Sequence, residues 1–437
     1  MSLPPLTRRR WRNWAGNQRT AGELARPRTV AELAALLRYA GAAGRQVTVV
    51  GSGHSFTSIA RGADIQIALS GMAGAITRGP TPRTVRVPAG TTLRQLNRWL
   101  AAHQLALPNL GDIDAQTVGG AIATGTHGTG ARFGGLASQV VELTLVGADG
   151  EVRRCSATEQ PDLFAAATVG LGALGVVTEV TLRCVAAFVL HADERPVPLA
   201  QTLAEFDEYC ADNEHVEFYW LPYTEATLVK RNNRAATDSR PMTRLRAWWE
   251  NDVLQNVALG GVCKAGRAVP AAAPALARLM ARAFTPVSYT NRSDRIFTTP
   301  RRVRFVELEY ALPRAALPAA FAELRRIVAR SPQRVLLPVE VRVGAGDDSW
   351  LSPAYQRNCA YLAIHQYVGA PYQGYFQAVE RACAGLDGRP HWGKLHWRDA
   401  ESLATAYPRF ADFLAVRDRL DPGRVFGNPY LARVLGP

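Results

Sequence analysis

VVGSGHSFTSIA, residues 49–60, joins a short β-branched strand directly to a Gly-Ser-Gly-His loop. Ahead of it, RTVAELAALLRYAGA (29–43) carries apolar residues at helical spacing behind a threonine able to cap the first turn, and RQVTVV (45–50) is β-branched. The order is therefore helix, strand, tight turn. Glycines at the end of a strand leave successive backbone N–H groups free, and such a concavity cradles a pyrophosphate without side-chain charge. The lysine of a P-loop is missing, so amides would meet the anion. An imidazole between glycine and serine in that loop, His54, is not placed like a core residue.

On the C-terminal side, short strands at IQIAL (65–69) and TVRVPAG (84–90) lead to a helix over 91–103 and then to PNLGDIDAQTVGGAIATGTHGTGARFGG (108–135). That stretch is dense in glycine, which lets backbone approach a ligand; interleaved apolar residues argue against a flexible linker. Within it TGTHGTG (124–130) adds hydroxyls, amides and a second loop histidine, His127. A hairpin-like ADG lies in strand segment 140–155, followed by a helical 161–169 and a strand over 176–184. Gly170-x-Gly172-x-x-Gly175 matches a nicotinamide-binding fingerprint, but here a helix precedes the glycines and a strand follows, the reverse of what that site requires. After about residue 187 aromatic residues become frequent and RVRFVELEYAL (302–312) and RVLLPVEVRV (334–343) alternate with Ala-rich helices. The expected domains are 1–187 and an α+β unit over 188–437, with 413–437, a helix broken by Pro-Gly and then an extended tail, packing back on the first.

At 437 residues the chain exceeds one ordinary core. With 47% hydrophobic and 20% charged residues and no low-complexity tract, nearly all of it should pack. Six scattered cysteines (155, 184, 210, 263, 359, 383) lack metal-type spacing and read as reduced core residues; no metal site is expected. The N-terminal arginines precede no apolar run, and no stretch approaches the roughly 20 apolar residues of a membrane span, so a cytoplasmic protein is expected, with peripheral membrane contact left open. The net charge of +14 invites a nucleic-acid partner. Yet only Lys230, Lys264 and Lys394 of the 51 basic residues are lysine, the arginines are dispersed with their densest runs at Arg8–Arg12 and Arg301–Arg304, and no nucleic-acid-binding signature accompanies them. The charge reads as a solvated, anion-attracting surface.

As a set, VVGSGHSFTSIA, GDIDAQTVGGAIATGTHGTG (111–130), GLGALGVVTEV (170–180), EVR (340–342) and HWGK (391–394) resemble the aldonolactone oxidoreductases along essentially the whole chain. These are the gulonolactone, galactonolactone and arabinonolactone oxidases or dehydrogenases, grouped with alditol oxidases in the vanillyl-alcohol-oxidase flavoprotein superfamily. The resemblance implies an α+β, two-domain fold of that type, a PCMH-type FAD-binding domain followed by a substrate cap. It implies FAD held by Val49, Val50, Gly51, Ser52, Gly53, His54, Ser55, Ile59, Gly111, Asp112, Thr117, Gly120, Thr124, Gly125, Thr126, His127, Gly175, Val177 and Lys394, with an 8α-histidyl bond to His54. Hydride would pass from a carbinol to flavin N5, and O2, giving H2O2, or another acceptor would reoxidise the flavin.

Glu340 and Arg342 alternate with Val339, Val341 and Val343, so on a strand both charges share one face. The plain alternative is an exposed salt bridge; the EVR match favours sugar binding and catalysis. Lys394 is a lysine kept in an arginine-using chain, and the resemblance sets it by the flavin and the substrate hydroxyl. His365, in the apolar YLAIHQY, takes a catalytic role by the same match, while His391 and His396 read as supporting residues. Asp112 and Tyr367 stand where alditol oxidases have serine and threonine, which favours a lactone ring over a slim polyol. Gly111 stands at a position where glycine leaves room for O2. The expected activity is FAD-dependent oxidation of a sugar lactone; a polyol oxidase and a non-catalytic flavin-binding protein are the alternatives.

Overall fold

The computed structural model describes residues 3–62, 64–72, 74–236 and 257–437. Thr29 accepts a hydrogen bond from Glu32 N–H (3.1 Å) and so caps the helix Val30–Ala42, whose Leu33, Leu36, Leu37 and Ala40 are buried. That helix leads to a sheet of four strands, β1 (Leu6–Arg12), β2 (Arg19–Ala25), β3 (Val47–Val49) and β4 (Ile65–Ile67), in the order β1-β2-β4-β3. The β1–β2 hairpin was not foreseen: an arginine-rich run looks solvated in sequence, but its backbone pairs in full register from Leu6–Ala25 to Arg12–Arg19.

A second, antiparallel sheet is built from β5 (Thr77–Arg78), β6 (Thr84–Pro88) and, past the short β7 (Leu105–Ala106), β8 (Val140–Val146), β9 (Val152–Ser156) and β10 (Val176–Arg183), in the order β5-β6-β10-β8-β9. Helices Leu93–Ala102, Val118–Ala123 and Pro161–Ala167 accompany it. Helix, glycine turn, then β10 is the order that excluded a nicotinamide fingerprint.

β11 (Val185–Ala186) pairs with β7, and the chain then enters an eight-stranded sheet. Its strands are β12 (Val189–Pro198), β13 (His215–Trp220), β14 (Ala226–Ala235), β15 (Val287–Arg292), β16 (Phe305–Pro313), β17 (Val339–Gly344), β18 (Cys359–Tyr367) and β19 (Arg389–Pro390), ordered β15-β12-β14-β13-β17-β18-β16-β19. Strand periodicity gives this sheet two unlike faces. Phe218, Val229, Leu308, Val341, Leu362 and Ile364 point to one face and form a core with helices Leu199–Asp212, Leu317–Arg330 and Gln373–Ala384. The other face is polar and turns toward the N-terminal sheets.

The end of the chain returns to the N-terminal core, where Leu403, Phe413, Val425, Tyr430 and Leu435 pack with Leu36, Ile67 and Leu143. The expected extended tail is instead the helix Pro429–Leu435: Asn428 caps it by accepting from Leu431 N–H, proline occupies its first turn, and Tyr430, Leu431, Val434 and Leu435 are buried.

Candidate active site

A cavity of about 550 Å³ opens between the N-terminal sheets. Val49, Val50, Gly51, Ser52, Gly53, His54, Ser55, Ile59, Thr117, Gly120, Thr124, Gly175 and Val177 line it. Val50 N–H donates to Ile67 O (2.8 Å) and Phe56 N–H to Gly393 O (2.7 Å), while the N–H groups of the five residues between them reach no acceptor among the described residues. Glycine at position 51 fits by size, since a Cβ there would stand 2.5 Å from Thr117 Oγ1 and force that capping threonine to shift. Free amides, a glycine cradle and this volume fit an extended anionic ligand. His54 closes one end, stacked on Trp14 with ring centres 5.6 Å apart, and its buried Nδ1 has no partner. Burial, reinforced by the Lys394 ammonium, holds its pKa down at about 4, so the imidazole is neutral with a lone pair available.

Next to this end lies a ribbon of buried charge across the polar face of the large sheet. Register explains it: Glu307 pairs with His365, Glu340 with Tyr219, and Arg342 with Glu217, each pair on one face. Arg342 Nη2 lies 2.5 Å from Glu340 Oε1 and Nε 2.9 Å from Glu217 Oε2, while Tyr219 Oη donates to Glu340 (2.6 Å). Farther along, Lys230 pairs with Glu194 at 3.4 Å. At the other end His365 Nδ1 donates to Pro338 O (3.0 Å), which turns Nε2 toward Glu307 Oε1 (3.5 Å) and Glu340 Oε2 (4.0 Å). Lys394 is paired with Glu307 and lies 3.8 Å from Glu309. Its segment is pinned on both sides, Leu395 N–H to Glu307 O (2.8 Å) and Gly393 O to Phe56 N–H, which sets the ammonium between the cap sheet and the His54 loop.

The electrostatics divide these groups. Burial opposes the charge of Lys394, but Glu307 and Glu309 outweigh it and raise its pKa, so it is a fixed cation rather than a group that shares its proton. Arg342 likewise stays charged. Burial would also raise Glu307, yet Lys394 and His365 hold it below the usual carboxylate range. Glu340 differs: burial pushes it up despite Arg342, with Glu217 and Asp112 adding to the effect. His365 is raised as well, because Glu307 and Glu340 overcome its desolvation.

Six of the residues expected to hold FAD do not line the cavity. Lys394 belongs to the ribbon, and Asp112 joins it through Arg301 (2.7 Å) and Arg342 (3.7 Å). His127 turns away from the cavity to pair with Glu309 and stacks on Tyr361 at 3.6 Å, so burial against the cap makes it a structural partner of a carboxylate. Thr126 lies behind Gln116, whose amide donates to its Oγ1 (3.1 Å), and Gly125 (φ +75°) packs on Pro353. Gly111 leaves no gap: a Cβ there would meet His127 O at 2.9 Å and Thr126 Cγ2 at 3.2 Å. Tyr367 ends its strand half-buried beside the Arg267 guanidinium (5.8 Å), away from the charged ribbon. Sequence reasoning missed Glu217, Tyr219, Arg301, Glu307 and Glu309, although FVELEYAL carries the same alternation that singled out Glu340 and Arg342. It also missed Arg9, Arg12 and Arg26, which line the cavity from the N-terminal hairpin and the turn after it.

Fold and cavity together define an FAD-binding oxidoreductase of the vanillyl-alcohol-oxidase type: residues 23–156 match the FAD binding domain family, and the chain superposes on the crystal structure of cholesterol oxidase from B. sterolicum with a TM-score of 0.83. That likeness covers 99% of this chain and 97% of the other at 18% identity, and it is one of fold alone. Residues 180–434 match the D-arabinono-1,4-lactone oxidase family. The chain is 42% identical over 431 residues to L-gulono-1,4-lactone dehydrogenase of Mycobacterium tuberculosis, across 98% of this chain and 99% of the relative. It is 32% identical to L-gulonolactone oxidase of Scyliorhinus torazame, across 96% and 97%. The chain belongs to the aldonolactone oxidoreductase family. The residues present fit FAD: the free amides of the 51–55 loop suit its diphosphate, and His54, whose buried Nδ1 has no partner among the described residues, lines the same cavity.

Proposed function

We propose that this protein oxidises a carbinol of an aldono-1,4-lactone of the gulono, galactono or arabinono kind, with FAD as hydride acceptor. The observation that carries this is the buried ribbon in which Glu340, Arg342, His365 and Lys394 converge next to the His54 loop. Bound FAD would supply a hydride acceptor at N5, to be reoxidised by O2, giving H2O2, or by another acceptor. Everything else falls to side chains. Arg342 and Lys394, both fixed cations, orient the sugar hydroxyls and stabilise the negative charge that grows as the reacting O–H loses its proton. Glu340, the carboxylate whose pKa is pushed up, suits the task of taking that proton, and His365 Nε2 lies between it and Glu307 to pass the proton on. Asp112, at the Arg301 edge of the ribbon, lines the approach of the substrate. The neutral imidazole of His54 with its free Nδ1 supports an 8α-histidyl bond to the flavin. Six buried free thiols suit a reducing compartment such as the cytoplasm; among the described residues no helix is long and apolar enough to cross a membrane.

Anaerobic mixing with a panel of aldonolactones and alditols tests the proposal. At least one lactone should bleach the flavin faster than every alditol. Bleaching by alditols alone would make the protein a polyol oxidase, and an unchanged spectrum with the whole panel would leave a flavin-binding protein without turnover.

A further inference from the structure

Between helix Ser293–Phe297 and β16 the chain forms an irregular strap, residues 298–304, that crosses from the cap to the Gly111–Asp112 loop. Thr299 N–H donates to Asp112 O (3.1 Å), and Arg301 donates from Nη2 (2.7 Å) and Nε (3.2 Å) to a single oxygen, Asp112 Oδ2. The other carboxylate oxygen faces Arg342 at 3.7 Å. This pair is the accessible edge of the charged ribbon: the side chains of Arg301 and Asp112 are 27% and 26% exposed, against 10% for Arg342 and 6% for Glu340. Arg301 spends two of its five N–H donors on Asp112, and its Nη1 reaches no acceptor among the described residues.

From this geometry we infer that Arg301 is a specificity-determining residue that donates to the ring carbonyl of a lactone, with Asp112 as the anchor that aims it. The inference rests on the lactone reading above. A guanidinium offers donors and no acceptor, so its best partner is an atom that only accepts, and a carbonyl oxygen is such an atom. A hydroxyl in the same place would need an acceptor for its own hydrogen. Asp112 Oδ2 already receives two guanidinium N–H groups, and Oδ1 faces the Arg342 guanidinium at 3.7 Å, an ion pair longer than a hydrogen bond. What Arg301 Nη1 itself offers is donors only, so the position favours a carbonyl over a hydroxyl at this edge.

The test pairs a change in the protein with a change in the ligand. Wild-type holoenzyme and Arg301→Met are titrated with a 2-deoxy-aldono-1,4-lactone and with the matching 1,4-anhydro ring ether, which lacks the carbonyl, and binding is read from perturbation of the flavin spectrum. Flavin content and Tm are measured alongside. The wild type should bind the lactone about tenfold more tightly than the ether, the worth of one hydrogen bond to a charged donor. Arg301→Met should lose that preference to within twofold while its affinity for the ether is kept, and Arg301→Lys should regain part of it. If Arg301→Met fails to hold FAD, Asp112→Asn, which loosens the anchor but keeps the guanidinium, should reduce the preference in the same direction. An equal preference in wild type and variant, or a wild type that binds both ligands alike, overturns the inference. Failure of the lactone reading itself would appear separately, as a wild-type flavin that no lactone reduces.

Discussion

Replacing Lys394 by methionine removes an ammonium while keeping the length of the side chain. That ammonium is paired with Glu307, lies 3.8 Å from Glu309 and stands 5.3 Å from the centre of the Phe56 ring. Without it Glu307 keeps His365 and Glu309 keeps His127 as ion-pair partners among the described residues. Breaking a buried pair from one side costs about 3–5 kcal/mol. An unfolding entropy of roughly 2.1 cal/mol/K per residue over 437 residues comes to about 0.9 kcal/mol/K, so Tm should fall by roughly 3–6 °C. Flavin reduction by the lactone should slow separately, by about a hundredfold, because loss of a preorganised charge near the reacting atoms costs about 3 kcal/mol. The double variant Glu307→Gln, Lys394→Met separates the two effects. With Glu307 neutral, at least half of the lost Tm should return, but the reduction rate should stay near that of the single variant. Calorimetry and anaerobic stopped-flow measure the two quantities. A rate that recovers together with Tm would mean that the ammonium only holds the fold, and a double variant no more stable than Lys394→Met would mean that Glu307 is not the charge it balances.

Protein precipitated in acid should stay yellow, and His54→Ala should release its flavin into the supernatant; free flavin from the wild type would disprove the covalent bond. His391 is held down at about 4 by burial, from an ordinary 6.5, so between those values the unfolded chain takes up a proton that the folded chain does not. Its contribution to stability should be complete above pH 6.5 and fall as pH drops toward 4, by at most about 3 kcal/mol, and His391→Gln should flatten that fall in urea titrations. Gly111→Ala forces a methyl against the His127 carbonyl, so the loop must move at a cost of about 1–3 kcal/mol and carry Asp112 with it. Stopped-flow should then show a slower reductive half-reaction, and a change confined to reoxidation by O2 would return Gly111 to the role of an oxygen gate.

What the sequence made legible was local. The helix, strand and turn over 29–55 follow from apolar spacing, a capping threonine and glycines, all within a few residues of one another, and the common face of Glu340 and Arg342 follows from the two-residue period of a strand. What it hid was meaning assigned by distant neighbours. Arg9 and Arg12 look like surface charge until the β1–β2 hairpin lays them on the cavity wall. His127 has the glycine-flanked setting of a ligand-binding loop, but Glu309 and Tyr361, some 180 and 230 positions later, turn it inward. Glu307 and Glu309 sit in plain alternation, yet only the 391–395 segment, brought alongside β16, shows that a lysine lies between them.

The fixed charges on the polar face of the large sheet do not close by themselves. Asp112, Glu194, Glu217, Glu307, Glu309 and Glu340 are six carboxylates; Arg301, Arg342, Lys230 and Lys394 are four fixed cations. Part of the excess is met where His365, whose pKa is raised, faces Glu307, or by a proton on Glu340, the carboxylate whose pKa is pushed up. A buried network of this kind adds little stability, since well-packed apolar side chains in its place are often as stable or more so. Its distinctive property is that a proton can sit on Glu340 or on His365, 4.0 Å apart, with the fixed cations unchanged in either case. An alcohol oxidised at this face must lose a hydride and a proton together. If the proposed function holds, the hydride would leave toward the cavity that His54 lines, and the Glu340–His365 pair could hold the proton.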